Sequence, residues 1–212
     1  MSLPLSEKVY DDLEKSSLSP TTSASSITHL HPAPRGVYKK LVAALLIETT
    51  ISCLIYINYD RIGAYHPMIA GLLLGCSSGA LAQSVNQYSK KKFTLNKIFK
   101  FMVWGSINGY FTVGWINILI TRIDNSAYRI IVDQLVGAPM FQLIFNMLNS
   151  IWDSGEMFSI TTRMAFLKSL KYSYCYWPFF SILSFVFIPQ ALMFPCNCLA
   201  NLLWNLILCR LA

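Results

Sequence analysis

The stretch from Gly75 to Gly79 reads G-x-S-x-G, the pattern in which many hydrolases present a nucleophilic serine, here Ser77. Such a serine needs a neighbouring histidine as general base, because an unactivated hydroxyl is a weak nucleophile. The chain has three histidines, at positions 29, 31 and 66, and the stretch itself lies inside an apolar segment. We therefore predict that the protein is not an enzyme and that these small residues serve another purpose.

Glycines at every fourth position indicate what that purpose is. Gly71, Gly75 and Gly79 form two overlapping G-x-x-x-G units, and Gly105 and Gly109 repeat the spacing in the next apolar segment. A helix face without side chains lets another backbone approach closely. The spacing predicts that all five glycines are helix-packing positions.

Two acids, Glu48 and Asp133, lie inside apolar segments and are the stronger candidates for a functional site. An ionised carboxylate within a bilayer is costly, so it usually faces a partner or water. Together with Gln83 and Gln134, these acids predict a polar path between helices. Two alternatives stay open: Asp133 lies in the first turn of its helix, where the helix dipole stabilises it, and Glu48 pairs with a neighbouring helix. Further uncharged donors and acceptors are Gln142, Asn146, Gln190 and Asn205.

The six cysteines lie within or at the ends of apolar segments, where a thiol behaves as a small apolar side chain. The closest pair, Cys196 and Cys198, lacks the C-x-x-C spacing and the histidine partners of a zinc site. We expect no metal ion and no cofactor.

The elements that must hold these residues are membrane helices. Apolar residues make up 54% of the chain, charged residues only 13%, and the mean hydropathy is +0.46, unlike a soluble protein. Apolar runs over residues 41–58, 67–85, 101–120 and 130–149 are long enough to span a bilayer and lack the alternation of barrel strands. Residues 172–209 carry no charge, and prolines divide them into helices near 174–194 and 196–211. The prediction is an all-α, polytopic transmembrane helix bundle of about six membrane helices, within a range of four to six.

Basic residues fall mostly on one side of this bundle. Assigning lysine and arginine from residue 35 onward to alternate sides puts twelve on the side of the 90–100 loop and three, Arg61, Arg122 and Arg129, on the other. This asymmetry predicts that both termini lie on the cytosol-like or matrix-like side. The net charge of +7 then faces anionic lipid, so we expect the lipid bilayer as a partner and no nucleic acid.

The chain divides into three parts. Residues 1–38 are rich in serine and proline and predict a disordered tail. Residues 39–64 predict an additional membrane helix and loop, and residues 65–212 predict a membrane core. The acids of the tail and the lack of an early apolar run argue against a mitochondrial transit peptide and a cleaved secretory signal, so we expect internal targeting.

The spacing of tryptophan and proline near the end of the chain resembles that of a known family. Trp177-Pro178, Phe185, Pro189 and Trp204-Asn205 are similar to the C-terminal signature of the 22-kilodalton peroxisomal membrane protein family, which includes the Mpv-seventeen proteins and their fungal relatives. Upstream, the resemblance extends to Gly75 and Gln83, to Gly109, Trp115 and Leu119, and to Asp133-Gln134 with Ala138-Pro139. It covers about residues 65–208.

Several positions that are polar in the family pattern are small or apolar in this chain. Gly79 stands in place of an acid, Val113 in place of a histidine, Ser181 and Ser184 in place of glutamine and asparagine, and Met193 in place of an arginine. We therefore expect the terminal hairpin to be an anchor and packing element. The functional residues are then Asp133 and Gln134 in the helix before it.

The resemblance implies a multi-pass protein of an organelle membrane, most often the mitochondrial inner membrane and otherwise the peroxisomal or vacuolar membrane. It also implies a contribution to the homeostasis of that organelle through weakly selective channel activity. The alternative is a non-conducting scaffold whose glycine faces recruit a second copy of the chain or other membrane proteins.

Overall fold

The computed structural model describes residues 35–211, so the predicted tail, up to residue 34, lies outside the described residues. The described part of the chain is helical and contains no strand. Its seven helices, numbered in chain order, are α1 (Arg35–Ile57), α2 (Tyr59–Tyr65), α3 (Pro67–Ser89), α4 (Leu95–Arg122), α5 (Ser126–Ser154), α6 (Ile160–Phe187) and α7 (Gln190–Leu211).

Six of these helices have 22 or more residues, which is long enough to span a bilayer. Three stretches, Gly36–Ile57, Pro67–Ser89 and Ser126–Ser154, are long and apolar enough to cross a bilayer by length and composition, and Leu192–Leu208 is a shorter apolar stretch. α4 and α6 carry more polar side chains, several of which are buried inside the bundle. The predicted all-α membrane bundle is confirmed.

α3 and α4 form an antiparallel hairpin whose two helices meet at glycines. Gly75 faces the backbone of Gly105 and Gly109, Gly71 faces the carbonyl of Gly109, and Gly79 faces the carbonyl of Phe101. A Cβ atom at Gly75 would overlap with the carbonyl oxygen of Gly105. Such close backbone approach is what G-x-x-x-G faces permit.

The turn between α5 and α6 follows from local capping chemistry. Gly155 adopts φ +75°, the left-handed conformation that ends a helix at little cost when no Cβ is present. Four residues later the side chain of Ser159 accepts a hydrogen bond from the backbone N–H of Thr162 and caps α6. α6 therefore begins at Ile160, well before the predicted start near residue 174.

The break between α6 and α7 also differs from the predicted one. Ile188 is extended, with φ −91° and ψ 126°, because the residue before a proline is disfavoured in the helical region. Pro189 therefore separates the helices, and the predicted division near residue 195 is wrong. Pro178 and Pro195 lie inside α6 and α7, respectively, where each removes one backbone donor without ending the helix.

An aromatic core joins α4, α5 and α7. It consists of Phe101, Trp104, Phe145, Trp204 and Leu208, each at most 4% exposed. Tyr176 and Trp177 of α6 pack against it, so four helices surround one centre. α1, in contrast, packs on α3 and exposes apolar side chains along most of its length, as a lipid-facing helix does.

Candidate functional site

A polar cavity of about 70 Å³ lies between α4, α5, α6 and α7. Each of these helices contributes polar side chains to its wall, which is unusual for the inside of an apolar bundle. The polar lining residues are Asn108, Thr112, Asp133, Gln134, Gln142, Ser181, Ser184, Asn197 and Asn201. Aromatic rings complete the wall, among them Trp104, Trp115, Trp177 and Trp204.

A π-helical turn in α5 positions the acidic end of this cavity. The turn runs from Asp133 to Gly137, and the backbone N–H of Ala138 donates to the carbonyl of Asp133, five residues back. Pro139 follows at once, and because its ring cannot donate and clashes with the preceding turn, the wider winding accommodates it. Asp133, Gln134, Gly137 and Ala138 all line the cavity as a result.

Asp133 is the centre of a hydrogen-bond network. Its Oδ1 accepts from the indole N–H of Trp115 at 2.8 Å, and its Oδ2 accepts from Ser181 Oγ at 2.5 Å and from Gln134 Nε2 at 3.2 Å. Gln134 Nε2 also donates to Ser181 Oγ at 2.8 Å. Since α4, α5 and α6 each supply a member, the network ties three helices together around one carboxyl group.

Gly137 makes the contact between Trp115 and Asp133 possible. A Cβ atom at this position would lie 2.7 Å from Trp115 Nε1 and 2.8 Å from Asp133 Oδ1. Both distances are shorter than van der Waals contact. The absence of a side chain at residue 137 therefore leaves space for the Trp115–Asp133 hydrogen bond.

Amide side chains connect α4 to α7 on the other wall of the cavity. Trp104 Nε1 donates to Asn205 Oδ1 at 3.2 Å, and Asn108 Nδ2 donates to Asn201 Oδ1 at 3.1 Å. Asn201 Nδ2 in turn donates to Asn197 Oδ1 at 3.3 Å. These bonds place three asparagines of α7, spaced four residues apart, on the face that points into the bundle.

Three buried polar atoms at the cavity have no hydrogen-bond partner among residues 35–211. They are Gln134 Oε1, Gln142 Oε1 and Trp204 Nε1. Gln142 and Trp204 are each only 2% exposed. Because an unpaired polar atom in a dry interior costs about 1–3 kcal/mol, these groups are typical of a site that binds water or a polar solute.

A second, larger depression lies along α5 and α6 near the side of the bundle that carries most cations. It has a volume of about 580 Å³ and includes Asn146, Asn149, Lys168 and Lys171 in its lining. Within it, Asn146 Nδ2 donates to Ser169 Oγ at 2.7 Å. Polar groups therefore continue along the α5–α6 interface away from the cavity.

Lys100 is buried beside this depression and is paired. Its Nζ lies 3.0 Å from both carboxylate oxygens of Asp153 and 2.7 Å from Asn149 Oδ1. The bonds join the first turns of α4 to the end of α5. Lys100 is one of the twelve cations that the topology prediction assigns to one side of the bundle. Its charge is balanced within the bundle by Asp153.

The structure brings two of the four predicted path residues together. Asp133 and Gln134 line the cavity, and Asp133 lies eight positions into α5 rather than in its first turn. Glu48 lies between α1 and α3, where Oε1 accepts from Ser84 Oγ at 2.9 Å, and Gln83 is buried in α3. Neither Glu48 nor Gln83 lines the cavity.

The tryptophans that carry the family resemblance lie at the same cavity. Trp115, Trp177 and Trp204 line the cavity, and Asn205 bonds to Trp104. Three prolines of the pattern shape the helices instead: Pro139 follows the π turn, Pro178 lies inside α6, and Pro189 separates α6 from α7.

The terminal hairpin is more than the expected anchor and packing element. Ser181 and Ser184 of α6, and Asn197 and Asn201 of α7, all line the cavity. In the sequence the two serines look like lost polar groups, and Asn197 and Asn201 were not among the predicted polar residues. The spacing Asn197, Asn201, Asn205 was the available signal, because four-residue steps put polar groups on one helix face.

The serines of the hydrolase-like pattern bond to backbone atoms. Ser77 Oγ donates to the carbonyl of Leu74 at 3.1 Å, and Ser78 Oγ donates to that of Gly75 at 3.1 Å. Both hydroxyls are therefore bound to the backbone of their own helix.

Comparison with known proteins connects this chain to one group of membrane proteins. A family model described as the Mpv17 / PMP22 family matches residues 156–209, which correspond to α6 and α7 with the end of the preceding turn. "PXMP2/4 family protein 3" of Dictyostelium discoideum is 34% identical over 131 residues, which cover 58% of this chain and 71% of that protein. No solved structure matches this chain.

Proposed function

This chain belongs to the Mpv17 / PMP22 family, and from that premise and the polar cavity we propose that it is a channel-like protein of an organelle membrane. Small polar solutes pass between α4, α5, α6 and α7. The integral membrane character follows from the family and from the apolar helices. In this proposal the passage contributes to the homeostasis of the organelle.

The observation that carries the proposal is the set of unpartnered polar atoms at the cavity. Gln134 Oε1, Gln142 Oε1 and Trp204 Nε1 are buried without a partner among residues 35–211. A cavity meant only for packing would be apolar, because apolar groups leave no hydrogen bond unmade. These polar groups can form hydrogen bonds with water or with a solute that enters and leaves the cavity.

The rival function is a non-conducting scaffold whose glycine faces recruit partner proteins. Gly71, Gly75, Gly79, Gly105 and Gly109 meet each other or the α3–α4 backbone within one chain. These faces are therefore occupied by the chain itself. This observation favours the channel over the scaffold.

We further propose that the protein is not an enzyme, because Ser77 is bonded within its own helix and His66, the histidine among the described residues, precedes it by eleven positions. The mitochondrial inner membrane is our proposed location, as the resemblance implies. The peroxisomal and vacuolar membranes are the alternatives. Imaging a tagged full chain against markers of the three organelles distinguishes them.

Planar bilayers containing the purified full chain test the channel directly. We expect the wild type to conduct and the Asp133→Asn and Gln134→Ala variants to show altered conductance. Glu48→Gln is the matched control, since its carboxyl group lies between α1 and α3 and outside the cavity. A silent wild type, or variants that conduct like the wild type, would overturn the proposal.

A further inference from the structure

The cavity has an excess of hydrogen-bond acceptors. An ionised carboxylate offers about four lone-pair sites, and Asp133 uses three of them, on Trp115, Gln134 and Ser181. The carbonyl oxygens of Gln134 and Gln142 add buried acceptors without a partner among residues 35–211. Trp204 Nε1 is the one unpartnered donor among the cavity's buried atoms in that range. A ligand that fits this wall brings N–H or O–H donors.

The charged groups of the cavity wall also favour a ligand with hydrogen-bond donors. All three bonds to Asp133 are donated to it, so its carboxyl group acts as an acceptor in each of them. No lysine, arginine or histidine is among the described residues that line the cavity. An ionised carboxylate inside a bundle is costly without a compensating charge, and a cation bound beside Asp133 would supply that charge.

Arg129 is the basic residue nearest in sequence that could pair with Asp133, because it precedes Asp133 by one helical turn of α5. Its guanidinium instead donates to backbone carbonyls at the end of α4, from Nε to Ile123 O at 2.6 Å and from Nη2 to Ile120 O at 3.3 Å. It does not line the cavity. Arg129 therefore caps α4, and its guanidinium bonds to the backbone there rather than to Asp133.

Aromatic rings form much of the remaining wall. Four of the five tryptophans of the chain line the cavity, together with Phe141, Phe180 and Phe185. Aromatic rings attract organic cations through the quadrupole of the π system. The volume of about 70 Å³ admits a group of the size of methylammonium or a few waters rather than a larger metabolite.

We propose that this cavity is a binding site for a small primary ammonium group, held by Asp133 and the carbonyl oxygen of Gln134 within the tryptophan wall. The inference rests on the proposed passage, because it names the class of solute that the passage selects. An ammonium group has three donors, of which one can bond to the remaining acceptor site of Asp133 and another to the carbonyl oxygen of the adjacent Gln134. It reaches the site either as a free amine or as the headgroup of an aminophospholipid.

Tryptophan fluorescence of the full chain in detergent micelles measures binding where the tryptophans are. Methylammonium chloride is the probe, and sodium chloride, sodium acetate and methanol at matched concentrations are the comparators. We expect a saturable change with methylammonium alone. We also expect the Kd to rise at least about tenfold in Asp133→Asn and several-fold in Gln134→Leu, because each loses an acceptor for a charged donor. Glu48→Gln should bind like the wild type.

Equal binding of methylammonium by wild type and Asp133→Asn, an equal response to methanol, or no saturable response would overturn the inference. Circular dichroism and gel filtration of each variant identify a fold defect, and Gln134→Leu provides a second test if Asp133→Asn unfolds. Lysophosphatidylethanolamine added to the micelles distinguishes the sources: displacement of methylammonium supports a lipid headgroup, and continued binding supports a free amine.

The outcome is separable from that of the proposed function. Conductance in bilayers without ammonium binding in micelles would refute the binding site and leave the passage. Ammonium binding without conductance would refute the passage and leave the site.

Discussion

Substitution of Gly75 by alanine should destabilise the protein more than the same substitution at Gly36, Gly63 or Gly114. These three glycines lie in α1, α2 and α4, outside the contact between the glycines of α3 and α4. At residue 75 the added Cβ would overlap with the carbonyl oxygen of Gly105 and would lie 3.0 Å from the Cα of Gly109. These are backbone atoms of α4, so a rotamer change cannot relieve the overlap. The two helices must separate along their whole glycine contact.

The magnitude follows from the cost of overpacking. Extra methyl groups in a packed interior typically cost about 1–3 kcal/mol, and the backbone location puts Gly75→Ala at the upper end, about 3 kcal/mol. A free-energy change of about 3 kcal/mol lowers the folding equilibrium constant more than about a hundredfold. The intrinsic preference of helices for alanine over glycine, about 1 kcal/mol, offsets only part of this cost.

Two matched glycines calibrate the measurement. Gly114 would place its Cβ 2.7 Å from the terminal Cε of Met68, a flexible side chain that can move, so a small loss is expected for Gly114→Ala. Gly63 has no atom within 4 Å of an added Cβ, so Gly63→Ala should be neutral or slightly stabilising. Unfolding of the three variants in detergent, followed by circular dichroism, gives the order. If Gly75→Ala is as stable as Gly63→Ala, the α3–α4 contact as described is wrong.

Two further variants test the cavity wall and its neighbour. Gly137→Ala should lower the free energy of unfolding by about 1–3 kcal/mol and shift the tryptophan emission spectrum, because the new Cβ displaces Trp115 from Asp133. An unchanged emission spectrum would contradict the contact between Trp115 and Asp133. Asp153→Asn should lower the free energy of unfolding by about 1–2 kcal/mol, measured by thermal unfolding, because it leaves buried Lys100 without its counter-charge. The loss stays modest because the side chain of Asp153 is 56% exposed. Equal stability of wild type and variant would show that the pair contributes nothing.

Much of the architecture could be predicted because hydropathy and glycine spacing are properties of single segments. The runs of apolar residues indicate membrane helices, and the G-x-x-x-G spacing indicates faces for close packing. The helix ends were less predictable. Pro189 and Pro195 look alike in the sequence, but Pro189 follows an extended Ile188 and ends α6, whereas Pro195 is tolerated inside α7.

The candidate site could be predicted only in part, because it depends on which helices are neighbours. Asp133 and Gln134 were identifiable as polar residues in an apolar run. Glu48 gave the same signal, yet it lies between α1 and α3 and outside the cavity. Ser181 looked like the loss of a polar family position, and its contact with Asp133 is visible only once α5 and α6 are placed side by side.

A blocking substitution on α6 tests most directly whether solutes pass through this cavity. Ser184 lines the cavity and is 5% exposed, whereas its neighbour Leu183 points outward and is 49% exposed. Single-channel conductance in planar bilayers should be abolished or strongly reduced in Ser184→Trp and should stay at the wild-type value in Leu183→Trp. Wild-type conductance in Ser184→Trp, or an equal loss in both variants, would contradict a passage between α4, α5, α6 and α7.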